Sequence, residues 1–261
     1  MRSDVNLLST TASEWIKFRT VRSTRLGLLM TLILTLGTGV LITTAIRTHW
    51  SSTGPAEKFT FDAVSASLGG TLFAQFAVGV IGALFITSEF SSGSIRTTLA
   101  AVPNRTLLVL GKLIVLVLSI AVVGEAVCFA AFLVGQAIFS GVVPTASLTS
   151  GAVLRAVLLA GVYLTLLAVL GFALGLILRH SAACISVFTS VLLIVPIVIF
   201  FLPQSWQDSL SKYEPSTLGR AMMSTGPPVQ TFGPWSASGI LGLYVVTILV
   251  VGIVSFVRRD A

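Results

Sequence analysis

Apolar residues in this chain fall into six long runs, at approximately 26–46, 68–87, 113–139, 153–178, 182–202 and 240–257, and most of the charge lies between them. At about 1.5 Å per residue, each run can cross or nearly cross a hydrocarbon layer of roughly 30 Å as a helix, the third and fourth with tilt. The pattern predicts an all-α membrane protein. Residues 26–257 form a single six-span domain, with a segment 1–25 before it and a short tail 258–261 after it.

The polar stretches between the runs differ in kind. The stretch 89–112, EFSSGSIRTTLAAVPNRTLLVLGK, carries Glu89, Arg96, Arg105 and Lys112, and so offers a charged docking surface. Gly93 permits a sharp turn, and Ser94 is placed to cap a short helix through Ile95 to Ala101. Pro103 ends that helix, and Asn104 or Thr106 caps the next. In the first segment, Val5, Leu8, Ala12, Trp15 and Ile16 share a helical face with Phe18 at its edge, and no small-residue cleavage site follows. A helix in the headgroup plane, anchored by Trp15, Lys17 and Arg22 with Arg25 alongside, accounts for this face. Arg19 falls inside the apolar arc, which leaves a plain basic juxtamembrane tail as the alternative. Segments 47–67 and 140–152 read as ordinary connectors. The segment 203–239 is long and rich in Pro, Gly and aromatic residues. There Pro215-Ser216-Thr217 reads as a helix start and Gly226, Pro227 and Pro228 as its stop. Leu218, Met222 and Met223 leave two readings for that helix, partly embedded in the membrane or lying on the surface.

Charge orients the spans. Arg2, Lys17, Arg19, Arg22, Arg25, Arg96, Arg105, Lys112, Arg179, Arg258 and Arg259 fall on the side of the termini, against Arg47, Lys58, Arg155, Lys212 and Arg220 on the other. The excess in short segments beside the spans places both termini and the 88–112 loop in the cytoplasm. The net charge of +7 thus follows membrane orientation and argues against a nucleic-acid partner. With 55% hydrophobic and 10% charged residues, the chain lies far below the roughly 25% charge of a soluble domain. Cys128 and Cys184 sit inside apolar runs, as small core residues rather than a disulfide or zinc site.

Within the spans Glu125 is the one acid, costly at that depth unless it faces protein or water. Gln75 lies at the matching depth of span two, so the spacing predicts a Glu125–Gln75 hydrogen bond, with a proton or substrate site at Glu125 as the functional alternative. Gly171 with Gly175 on span four, and Gly79 with Ala83 on span two, permit close helix contact. Pro196 predicts a kink in span five. Gly111-Lys112 lacks the flanks of a phosphate-binding loop, and His49 and His180 lie on opposite sides of the membrane. No catalytic, metal or cofactor constellation emerges, and the chain is not expected to hydrolyse nucleotide itself.

The order of these elements resembles the permease subunit of a type-2 ATP-binding-cassette exporter. Glu89 with Gly93, Ile95-Arg96, Leu99, Pro103, Arg105 and Gly111-Lys112 resembles the stretch such permeases carry after span two. Tyr213-Glu214-Pro215-Ser216 with Gly219 resembles their segment before the last span. The resemblance implies that residues 93–102 are a coupling helix seated in a groove of a partner ATPase, braced by the N-terminal helix. It also implies two ATPase copies, a second permease copy or paralogue, and export of a drug-like, lipid-like or other amphipathic molecule across a bacterial-type plasma membrane. Family members often carry re-entrant helices before the last span, a role left here to 216–225. The competing readings are a secondary transporter, which would show broken repeats or intramembrane charges, and a membrane-embedded enzyme, which would cluster polar groups at one depth. Glu125, Gln75 and Gln136 form no such cluster. A membrane anchor for a signalling complex is a third.

Overall fold

The computed structural model describes residues 6–226 and 232–258, and those residues form twelve α-helices with no strand among them. Six are long and apolar enough to span a bilayer: α2 (Arg22–His49), α5 (Thr71–Ser91), α7 (Arg105–Phe139), α8 (Gly151–Leu178), α9 (Ser181–Phe200) and α12 (Pro234–Arg258). The chain is a multi-pass membrane protein. The short helices are α1 (Leu7–Thr20), α3 (Pro55–Thr60), α4 (Ala63–Ser67), α6 (Ile95–Ala101), α10 (Gln204–Leu210) and α11 (Pro215–Met223). Val5, Pro227, Pro228 and the segment 259–261 lie outside the described residues.

Local chemistry sets the ends of these helices. Asn6 caps α1 reciprocally: its Oδ1 accepts from the Ser9 amide at 2.8 Å, and Ser9 Oγ accepts from the Asn6 amide at 3.2 Å. Gly93 turns the chain after α5 at φ 71°, in the left-handed region. Ser94 stands at the N-cap of α6, but its backbone is already helical and its hydroxyl pairs with Ser92 at 2.9 Å, so it supplies no side-chain cap. Asn104 does cap α7, accepting from the Leu107 amide at 3.1 Å. Helices overrun the apolar runs at several ends. Span two continues to Ser91, and spans three and six start at Arg105 and Pro234, because a helix persists past the hydrocarbon until a breaker such as Gly93 or Pro103 stops it. Span five is one helix through Pro196.

The centre of the bundle is α8, packed against α5, α7 and α12. Gly171 and Gly175 of α8 face Gly79, Ala83 and Ile86 of α5, and Gly82 of α5 lies on the Ala168 carbonyl of α8. The two small-residue motifs are therefore halves of one interface. Helix α9 packs on α5 through Phe188, whose ring covers Gly79. Helix α2 lies against α5 and α7 and presents much of its surface outward.

At the end of the bundle away from α1, the segment 47–67 is more than a connector. Its α4 folds back onto α7 and α2, where Gln136 Nε2 donates to Ser67 Oγ at 3.0 Å and to the Ala63 carbonyl at 3.3 Å. The helix α11 packs into the bundle instead of lying on its surface: Leu218, Gly219, Ala221, Met222 and Met223 are buried, and the helix contacts α8 and α12. It ends at Met223, ahead of Gly226. The preceding α10, with no buried residue, was not legible in the pattern.

Asp62 fastens these pieces. It accepts from the amides of Val64 at 2.9 Å, Ser65 at 3.2 Å and Thr225 at 2.8 Å. Burial alone would raise its carboxyl, but the hydrogen bonds from Thr225 and Ser65 outweigh it and hold the pKa below the ordinary value of 3.8. A depressed folded pKa contributes stability above the unfolded value and loses it as pH falls through the folded one. Replacing Asp62 by alanine is expected to cost about 1–3 kcal/mol at pH 7, and the gap should narrow below pH 3.8. Detergent-induced unfolding at both pH values measures it, and a gap unchanged by acid would refute the assignment.

Candidate functional site

At the end of the bundle that carries α1, four charged side chains from three helices meet. Lys112 of α7 donates to Glu14 of α1 and to Glu89 of α5, both at 2.7 Å. Lys17 of α1 donates to the same two carboxylates, at 2.8 and 3.0 Å. Two acids and two bases cancel, which is what permits burial: Lys112 and Glu14 side chains are each only 1% exposed. The Lys112 ammonium also lies 4.9 Å above the Phe85 ring, and Phe18 of α1 meets Phe85 edge-on. Burial alone would lower the Lys17 pKa, yet the Glu14 and Glu89 carboxylates hold it above the ordinary lysine value. This clamp pins α1 across the ends of α5 and α7.

The clamp reassigns three residues expected at the surface. Glu89 and Lys112 are buried partners rather than docking charges, and Lys17 is tied to carboxylates rather than to lipid phosphate. The physical reason is the orientation of α1. It buries Thr10, Glu14 and Phe18 against the protein and turns Leu8, Trp15 and Ile16 outward. Its apolar arc thus faces the surroundings, as an interfacial helix requires, and Trp15 and Arg22 remain exposed there.

Helix α6 projects from this platform. Ile95 is buried and Leu99 and Val102 pack on the core, while Arg96, Thr97, Ala100, Ala101 and Pro103 are exposed. One helical face holds the bundle and the other is presented outward, with Arg96 on it. Arg105 does not join that surface. Its guanidinium donates to the carbonyls of Phe256 and Val257 at 3.5 and 3.4 Å, at the C-terminal end of α12. Arg179 does the same through Ser255 at 3.4 Å and lies against the rings of both Phe90 and Phe256. Between α6 and the α1–α2 corner lies a cleft of about 470 Å³ lined by Lys17, Ser88, Glu89, Ser94, Thr97 and Thr98. Glu89 Oε2 is buried there with no hydrogen bond among the described residues.

The intramembrane pair is not a pair. Gln75 accepts from the Tyr163 hydroxyl of α8 and from Ser216 of α11 at 3.4 Å, while Glu125 packs its carboxyl against Gly161 of α8 with no hydrogen-bond partner among the described residues. Equal depth does not make two side chains neighbours: α8 packs against both α5 and α7, giving Gln75 the Tyr163 hydroxyl and setting Glu125 against Gly161. Tyr163 and Ser216 were invisible from depth alone. The geometry gives Gln75 a structural role, joining α5, α8 and α11.

No protein-family model matches this chain, and a search of curated proteins finds no match.

Proposed function

We propose that this chain is the membrane-spanning permease subunit of an ATP-driven exporter, and that α6 is the element a separate ATPase subunit grips. The observation that carries the reading is the short helix itself, bounded by Gly93 and Pro103, with one face on the core and a polar face carrying Arg96 turned outward. A rigid rod at the joined ends of two spanning helices moves those helices when it is pushed. The clamp supports this by fixing the end of α5 from which α6 departs. The cleft beside α6, with the hydroxyl side chains of Ser88, Ser94, Thr97 and Thr98 in its wall, offers hydrogen-bonding groups to a side chain of the partner.

In this reading both termini face the cytoplasm of a bacterial-type cell, two ATPases serve two permease copies, and an amphipathic molecule is the cargo. The test uses the full chain co-expressed with a separately encoded ATPase subunit. Arg96→Glu combined with Ala100→Glu changes only exposed positions, so membrane insertion and detergent elution should be retained while ATPase recovery falls at least about tenfold, a few interface contacts' worth. Undiminished ATPase recovery would remove α6 as the docking element.

A further inference from the structure

We propose that the groove between α1, α2 and α7 is a binding site for one anionic phospholipid, its acyl chain lying in the groove and its phosphate held by Arg19 and Arg25. The groove has a volume of about 750 Å³, and its walls are apolar, including Trp15, Phe18, Leu28 and Leu118. On α7 it runs from Ile114 to Val123. Nine steps of 1.5 Å give about 14 Å, close to half of a hydrocarbon layer of roughly 30 Å, the reach of a chain in one leaflet.

The two charged residues lining this groove are both arginines, on either side of the α1–α2 corner. Arg19 makes no hydrogen bond or ion pair among the described residues, and Arg25 spends one nitrogen on the Thr20 carbonyl at 3.3 Å. Arg19 is also the residue that breaks the apolar arc of α1, and its place in the groove wall gives that break a purpose. The headgroup level is where phosphate lies, and two guanidinium groups beside an apolar slot match an anionic lipid. A second copy of the chain is the weaker occupant. Among the described residues at this end, the carboxylates Glu14 and Glu89 are already held by Lys17 and Lys112, and neither is placed to answer the arginines of a second copy.

The inference needs neither ATPase nor transport, so it stands or falls separately from the proposed function. Trp15 lines the groove, and with Trp50, Trp206 and Trp235 changed to phenylalanine it is the single tryptophan, excited selectively at wavelengths where tyrosine does not absorb. The full-length protein is placed in phosphatidylcholine nanodiscs containing a small fraction of phosphatidylglycerol brominated along one acyl chain. Brominated phosphatidylglycerol should quench Trp15 at mole fractions where brominated phosphatidylcholine does not. Arg19→Gln and Arg25→Gln, both at exposed positions, should each reduce that preference about fivefold. Equal quenching by the two lipids would overturn the site. So would a preference that survives in the double variant, or a dimer in which Trp15 is shielded from both lipids.

Discussion

Replacing Lys112 by methionine is expected to destabilise the folded protein by about 3–5 kcal/mol and to release α1 from the bundle. The ammonium is the shared partner of Glu14 and Glu89, and its removal leaves two buried carboxylates to Lys17, whose side chain is 39% exposed. A water-screened lysine cannot neutralise both. The same argument predicts a rescue. Converting all four together, with Glu14→Gln, Glu89→Gln, Lys17→Met and Lys112→Met, removes the orphaned charges along with their partners and should recover most of the loss, because well-packed neutral groups commonly replace a buried ionic cluster at little cost. Unfolding by sodium dodecyl sulfate gives the energy, and tryptic cleavage after Arg19 reports whether α1 is still held. An unchanged unfolding midpoint in the Lys112→Met protein, with Arg19 still protected, would show that the clamp contributes nothing.

The contrast between α6 and the clamp shows what the chain discloses locally and what it does not. Helix α6 was legible because its determinants are neighbours in sequence: a glycine that turns, a run that buries Ile95, and a proline that stops it. The six spans were legible for the same reason, since each is a property of a contiguous apolar run. The clamp depends on Glu14 meeting Lys112, which no local rule connects. A faint signal existed. Two acids near the membrane boundary, in a chain with only nine Asp and Glu in all, demand partners, and Glu14 with Lys17 already share a helical face. The Gln75–Glu125 pairing failed for the complementary reason. Depth along a helix follows from sequence position, but which helix stands beside it does not, and α8 supplied Tyr163 instead.

Glycine substitutions test that neighbour relation directly. Gly171→Ala is expected to destabilise the protein by about 1–3 kcal/mol, as overpacking does, although alanine is the better helix former. A Cβ on Gly171 would overlap the Gly79 carbonyl oxygen and come within 3.2 Å of the Ala83 amide. These are backbone atoms, which no rotamer change can clear, so α5 and α8 must separate along their most extensive contact. Between lipid-embedded helices that loss is not repaid by water, since close packing supplies much of the association energy. Gly82→Ala drives the same wedge from the other helix, into the Ala168 carbonyl. Once the helices have parted for one methyl group, the second meets less resistance, so the double variant should cost less than the sum of the singles. Gly37→Ala and Gly242→Ala, where an added Cβ meets nothing within 4 Å, are the controls and should leave the unfolding midpoint unchanged or slightly raised. If Gly171→Ala behaves like Gly37→Ala, then α5 and α8 do not meet through these glycines, and the arrangement of the bundle around α8 is wrong.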